Sequence, residues 1–163
     1  MQFTHGHEFA ASLDRVVAMF ADPEFVAKRS VVPGVEGNES WVDGTPEDGF
    51  TVSIRRVVPS ETIPSEFRSF VGRELHVRYS EVWEPATAED MVGTFAVEIV
   101  GAPGHAAGAL GLTAHGERTE FLATGEVKVA IPLFGGMVER AVADAVIKGL
   151  AQELAAADAW LAM

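Results

Sequence analysis

Three features of the sequence predict an α+β fold. Six stretches of period-two alternation lie between residues 35 and 131, a long helical pattern follows them, and one strand pattern with two short helical patterns precedes them. Most links between the alternating stretches are short, which makes the sheet an antiparallel meander. The last helix has a single apolar stripe and needs one apolar surface, which such a sheet supplies. The expected architecture is a helix-grip, a seven-stranded curved antiparallel sheet wrapped around a long C-terminal helix.

The elements follow in order. Phe3, His5, His7 and Phe9 alternate with polar or small residues and start the sheet. Ser12 precedes a helix whose Leu13, Val16, Val17 and Phe20 stand at i, i+3, i+4 and i+7. Asp22-Pro23 then restarts the pattern as a cap plus a first-turn proline, so a second short helix carries Phe25 and Val26 until Pro33-Gly34 ends it. Strands are expected over 35–42, 50–58, 71–84, 91–100, 107–115 and 119–131. The links "DGTPEDG", "PATAED", "GAPGH" and "HGER" are turn-rich. A longer link, "PSETIPSEFRSF", spaces Pro64, Phe67 and Phe70 like one helical turn. The final helix is expected over 136–161, roughly 39 Å long. Its wet stripe is Arg140, Asp144, Lys148 and Gln152, opposite Val138, Val142, Val146, Leu150, Leu154 and Leu161. Beside the apolar stripe runs a row of small residues, Ala141, Ala145 and Gly149.

At 163 residues the chain is expected to form one domain over 1–163, large enough to bury roughly 70% of its unfolded surface. With no cysteine it has neither disulfides nor thiolate metal sites, which suits a reducing compartment. The start "MQFTHGHEFA" lacks the cationic and apolar parts of a secretory signal, so a cytoplasmic location is expected and the sequon at Asn38 carries no meaning. No stretch reads as a membrane span. A net charge of −12, from 24 acids against 12 bases, disfavours nucleic acid and anionic membranes as partners. The acids are dispersed, as solubility requires.

Strand phase assigns the interior. Phe95, Val97 and Ile99 share one side with Leu110 and Leu112, and with Phe121, Ala123, Gly125, Val127, Val129 and Ile131. Small residues (Gly93, Gly108, Gly111 and Gly125 on the sheet, the Ala141 row on the helix) imply either close packing or open space. Polar residues in the apolar phase say more. Arg56 follows Phe50, Val52 and Ile54, and Glu81 sits between Tyr79 and Trp83. Buried charges are costly unless paired, so Arg56 and Glu81 are expected to pair with each other or to meet a ligand's polar head, unless a bulge or strand end exposes them.

In "IPLFGG", Pro132 ends the ladder and Gly135-Gly136 allow a sharp turn into the helix. Leu133 and Phe134 are expected to fold over the end of the interior toward Phe67 and Phe70, as a gate or as a hydrophobic plug. His5 and His7 share a strand face, but no third ligand follows at a metal-site spacing, and no metal or cofactor is expected. Nucleophile-elbow, P-loop and dinucleotide glycine patterns are lacking.

The chain resembles the START-like (SRPBCC) superfamily, and within it a bacterial family of unknown function. The resemblance rests on the strand ahead of "SLDRVVAMFADPEFVAKR", on "GRELHVRYSEVWEP", on "GAPG", and on "GEVKVAIPLFGGMVE" leading to a terminal "WL". It implies a deep pocket between sheet and helix for a small hydrophobic or amphipathic molecule. The phosphate-loop-like segment of the plant members is lacking, so their ligand class does not carry over. Within this resemblance the expected pocket residues are Arg56, Tyr79, Glu81 and Trp83 with Phe95, Val97, Leu110 and Leu112 on the sheet. Phe134, Val138, Val142 and Val146 complete them from the helix side. Three functions fit: binding or carriage of such a molecule, a polyketide cyclase- or dehydratase-like enzyme with Tyr79, Glu81 and Arg56 moving protons, or an interaction module with a packed core.

Overall fold

The computed structural model describes residues 1–31, 36–59, 65, 68, 74–100, 104–131, 133 and 135–163. Strand β1 (Gln2–Phe9) leads into helices α1 (Leu13–Phe20) and α2 (Pro23–Ser30). Strands β2 (Glu36–Thr45), β3 (Gly49–Pro59), β4 (Glu74–Trp83), β5 (Asp90–Val100), β6 (Gly104–His115) and β7 (Arg118–Val129) follow, and α3 (Gly135–Leu161) ends the chain. The sheet order is β1-β7-β6-β5-β4-β3-β2, antiparallel throughout, so β1 closes against the last strand while the rest form a meander. This is the expected helix-grip.

Element ends differ in ways that turn chemistry explains. β2 runs three residues past the expected end because Gly44 and Gly49 adopt positive φ and carry the ladder into a tight turn. β6 starts at Gly104, within the segment expected to be a turn. Asp22 caps α2 by accepting the Glu24 amide at 2.8 Å, with Pro23 in the first turn. Ser12 holds the corresponding place on α1 without a side-chain cap bond; its carbonyl accepts the Val16 amide instead.

The two ends of the sheet are packed differently. At one end α1 and α2 cover the inner face, and Phe9, Phe20, Phe25, Phe50, Trp83 and Phe121 form a connected set of ring contacts 5.7–6.3 Å apart. Leu112 and Met91 are fully buried among them. Each such side chain contributes about 1.5–3 kcal/mol by leaving water. At the other end β4 begins and β5 runs out, and inward-facing Leu75, Val77, Val97 and Ile99 remain only half-buried.

Helix α3 packs on β7 and β1 and touches α1 and α2. Its wet stripe lies where expected and is exposed. Of its 27 residues only Ala143, Leu154 and Ala157 are buried, while Val138, Val142, Val146 and Leu150 stay half-buried. The small-residue row does not press on the sheet: Ala145 is exposed and a Cβ on Gly149 would meet nothing within 4 Å. On the sheet, three of the four glycines mark close packing. A Cβ on Gly125 would lie 2.7 Å from the Phe95 ring and 2.8 Å from Phe3, and one on Gly108 would collide with the Thr124 carbonyl. Gly93 likewise seats the Trp83 ring, whereas Gly111 faces the open outer side.

Candidate functional site

Two of the four residues that build the polar centre were not expected. Arg29 occupies the apolar face of α2, four residues after Phe25 and three after Val26, and its side chain is 3% exposed. Its guanidinium lies among the rings of Phe20, Phe25 and Tyr79, 5.6–6.0 Å from their centroids, a cation–π arrangement. Glu81 is as deeply buried, and its Oε1 lies 2.9 Å from Arg29 Nη2. The other contacts to this carboxylate are hydrogen bonds: Tyr79 donates its hydroxyl to Oε2 at 2.5 Å, and Trp83 donates Nε1–H to Oε1 at 2.8 Å. Tyr79 and Trp83 flank Glu81 on the inward phase of β4, and α2 brings Arg29 to the same carboxylate.

The expected Arg56–Glu81 pair does not form. In the β3–β4 register Val52 stands opposite Glu81 and Arg56 stands opposite Val77. The two charges are thus four residues apart along the strands, about 13 Å. Arg56 does point inward, and donates from Nη2 to Glu153 Oε1 at 3.0 Å, with further bonds to the Ser30 and Arg29 carbonyls. Glu153 reaches Arg29 Nη1 as well, at 3.7 Å, and so ties α3 to α2 and β3. The signal for both overlooked residues was a charge in an apolar helical phase: Glu153 lies seven residues after Val146 on the same flank.

Electrostatics fix the charge states. Burial alone pushes the Glu81 carboxyl up, but the Arg29 charge and the donated hydrogen bonds together hold it below its usual value. Burial first, and then the Glu81 charge, push the Tyr79 phenol well above its usual value. Burial opposes the Arg29 charge, yet Glu81 and Glu153 outweigh it, so the guanidinium stays protonated. Two cations, Arg29 and Arg56, thereby face two carboxylates, Glu81 and Glu153. Arg29 Nη2 has the charge contact but no aligned hydrogen bond, and Nε–H has no hydrogen-bond partner among the described residues.

The other expected pocket residues divide between the two ends. Trp83, Leu110, Leu112 and Phe95 are buried in the packed core. Tyr79 and Val97 on the sheet, and Val138, Val142 and Val146 on α3, keep accessible surface. An open recess of about 1110 Å³ wraps the sheet edge where β5 and β7 end and β6 begins, near the first turn of α3. Inward Val97, Ile99, Ala106 and Val129 line it together with outward Glu98, His105, Glu126 and Lys128 and with Glu139. Glu139 accepts the Val129 amide at 3.1 Å and so fixes the start of the helix to the end of β7. Leu133 does not cover the interior: it is 97% exposed, with φ 69° in the left-handed region that favours glycine. Phe134, Phe67, Phe70 and Pro132 lie outside the described residues.

His5 and His7 do share the inner face of β1, and His7 Nε2 meets Asp158 Oδ1 at 2.9 Å. Among the described residues no group of three or more His, Asp or Glu side chains could hold a metal ion. Nor is any helix among them long and apolar enough to cross a membrane.

Solved structures with the same fold are numerous. The Thermus thermophilus protein TTHA0849 superimposes with a TM-score of 0.63 at 16% identity, over 97% of this chain and 94% of that one. The Zhui aromatase/cyclase from Streptomyces sp. R1128 gives 0.56 at 19% identity, over 97% and 88%. A START superfamily protein from Mycobacterium smegmatis gives 0.55 at 18% identity, over 98% of each chain. At such identities the likeness establishes the fold, which is START-like, and not an activity. Comparison with curated proteins finds none that matches. Residues 4–161 match a family described as a protein of unknown function, DUF2505, and the chain belongs to that family.

Proposed function

We propose that the protein binds and carries a small, mostly apolar molecule between the open end of the sheet and α3. One observation carries this reading: the apolar stripe of a 27-residue helix and the inner face of β4 and β5 at the open end of the sheet both stay half-buried. Exposed apolar surface of this kind, on a scaffold whose other end is solidly packed, marks a binding site rather than a weak core. Tyr79, Val97, Val138, Val142 and Val146 supply apolar contact in this reading, and Arg56 with Glu153 forms the polar limit.

The ligand's polar end is uncharged. Arg29 and Arg56 already balance Glu81 and Glu153, so a carboxylate or phosphate would leave one buried negative charge uncompensated. What Arg29 lacks is an acceptor, and a ketone, ester or hydroxyl oxygen would provide it. The same cluster supports binding over proton transfer. A general acid or base works best with a pKa near neutrality, whereas Glu81 is shifted down and Tyr79 up.

Native mass spectrometry of freshly purified protein should show an additional mass that denaturation removes. An apolar fluorescent probe should bind and be displaced by a long-chain methyl ester at least tenfold better than by the matching carboxylate, and Glu153→Gln should narrow that ratio. A chain that carries no extra mass and takes up no probe does not bind such molecules.

A further inference from the structure

The outer face of the sheet, opposite α3, has a second feature. Cross-strand register arranges its outward side chains in rows. In one row Ser53, Ser80, Ala96 and Ala107 are neighbours. In the next Thr51, Val82, Thr94, Ala109 and Thr124 are neighbours, and β1 continues the row with Thr4. In a third Val92, Gly111, Leu122 and Gly6 follow one another from β5 to β1. Between β3 and β1 only two charges enter these three rows, Glu126 opposite Ala107 and Glu84 beside Val92, although the chain carries 36 charged side chains, 24 acids and 12 bases. Val82, Val92 and Leu122 are 51%, 48% and 45% exposed there.

Charge returns on both sides. One flanking row holds Arg55, Arg78 and Lys128, interleaved with Glu39 and Glu98. The opposite flanking row holds Asp90, Glu120 and Glu8. Within the chain Glu8 pairs with Arg118, Glu120 meets His115, and Lys128 of the first rim lies 3.8 Å from Glu126, exposed partners that an interface would exchange. A centre poor in charge between charged rims is the anatomy of a protein interface. Six strands and three rows cover roughly 29 by 20 Å, and the two rims bring the face to about 1,000 Å², enough for one partner of a standard interface.

We propose that this face binds a second copy of the chain about a two-fold axis running along the rows. That axis sets the nearly balanced rim of one copy over the acidic rim of the other, whereas an axis along the strands would stack acid on acid. Ala109, near the centre, lies on the axis. Lys128 of one copy faces Glu120 of the other, and facing sheets about 10 Å apart let the two side chains meet. Within one chain these residues are eight positions apart on β7, about 27 Å, too far to join directly.

Sedimentation of the full chain across a concentration series, with carbodiimide cross-linking and peptide mapping, tests the arrangement. A reversible dimer is expected, with a Lys128–Glu120 cross-link found only between copies. Ala109→Glu should raise the dissociation constant by about tenfold or more, because it sets two carboxylates together on the axis. Its side chain points into solvent in the monomer, so circular dichroism should be unchanged. A chain that stays monomeric throughout overturns the proposal, whether the face then stays bare or takes a different protein. A dimer indifferent to Ala109→Glu, or one that never yields the Lys128–Glu120 link, overturns it equally.

Discussion

The two ends of one sheet solve different problems with the same alternation. Around Phe20, Trp83 and Phe121 the inward residues interlock with α1 and α2 and leave little accessible surface. Around Val77 and Val97 on the sheet and Val142 on α3 the same phase leaves each side chain partly accessible. The packed end fixes the fold, and the loose end is where we propose that a guest is bound. The Glu81–Arg29 and Glu153–Arg56 pairs lie between the two regions, where deep burial gives way to partial exposure.

Substitutions can abolish this contrast. Arg29→Met should act most strongly, since it strands Glu81 as an unpaired buried charge at a cost of about 3–5 kcal/mol, read as a fall in the urea midpoint. Leu112→Ala, in the packed end, should cost about 2–5 kcal/mol by the same measurement. If Leu112→Ala left stability unchanged, the packed end would not be what holds the fold; if Arg29→Met did, Glu81 would not depend on Arg29 to stay charged.

Two pH limits follow from the polar centre. The folded pKa of Glu81 lies below its unfolded value near 4.5, so the stability it contributes is present above that value and is lost as pH falls through the folded one. Tyr79 has a raised folded pKa, so its contribution holds below about 10 and is lost as pH rises further. It is the single tyrosine, so phenolate absorbance reports it alone and should appear only together with unfolding. Phenolate formation in a still-folded chain would show the cluster to be open to water.

Smaller effects refine the picture. Gly125→Ala should destabilise by about 1–3 kcal/mol because the added carbon meets the Phe3 and Phe95 rings, whereas Gly111→Ala should change stability by less than about 0.5 kcal/mol. Val146→Ala, at the loose end, should cost less than about 1 kcal/mol yet weaken probe binding severalfold. Equal losses for Val146→Ala and Leu112→Ala in chemical denaturation would erase the distinction between the ends.

Much of this was legible in the residues. Alternation placed the strands within a few residues and assigned their inner faces, including Tyr79, Glu81 and Trp83 on β4. The partner of Glu81 was not legible, because Arg29 reads locally as part of the basic end of a short helix. Its place on the face of Phe25 and Val26 becomes a contact only once α2 packs on the sheet. Leu133 misled in the opposite sense: its apolar character suggested a cover, while the strained turn before α3 sends it into solvent.

The order of elements, the antiparallel sheet and the phase of each strand were already contained in the chain, because periodicity and turn chemistry act between neighbouring residues. Which charges pair, which glycines seat rings rather than leave room, and which end stays loose emerged only in three dimensions. Those outcomes depend on register between strands and on the distance between helix and sheet, and both are set by contacts among residues far apart in sequence.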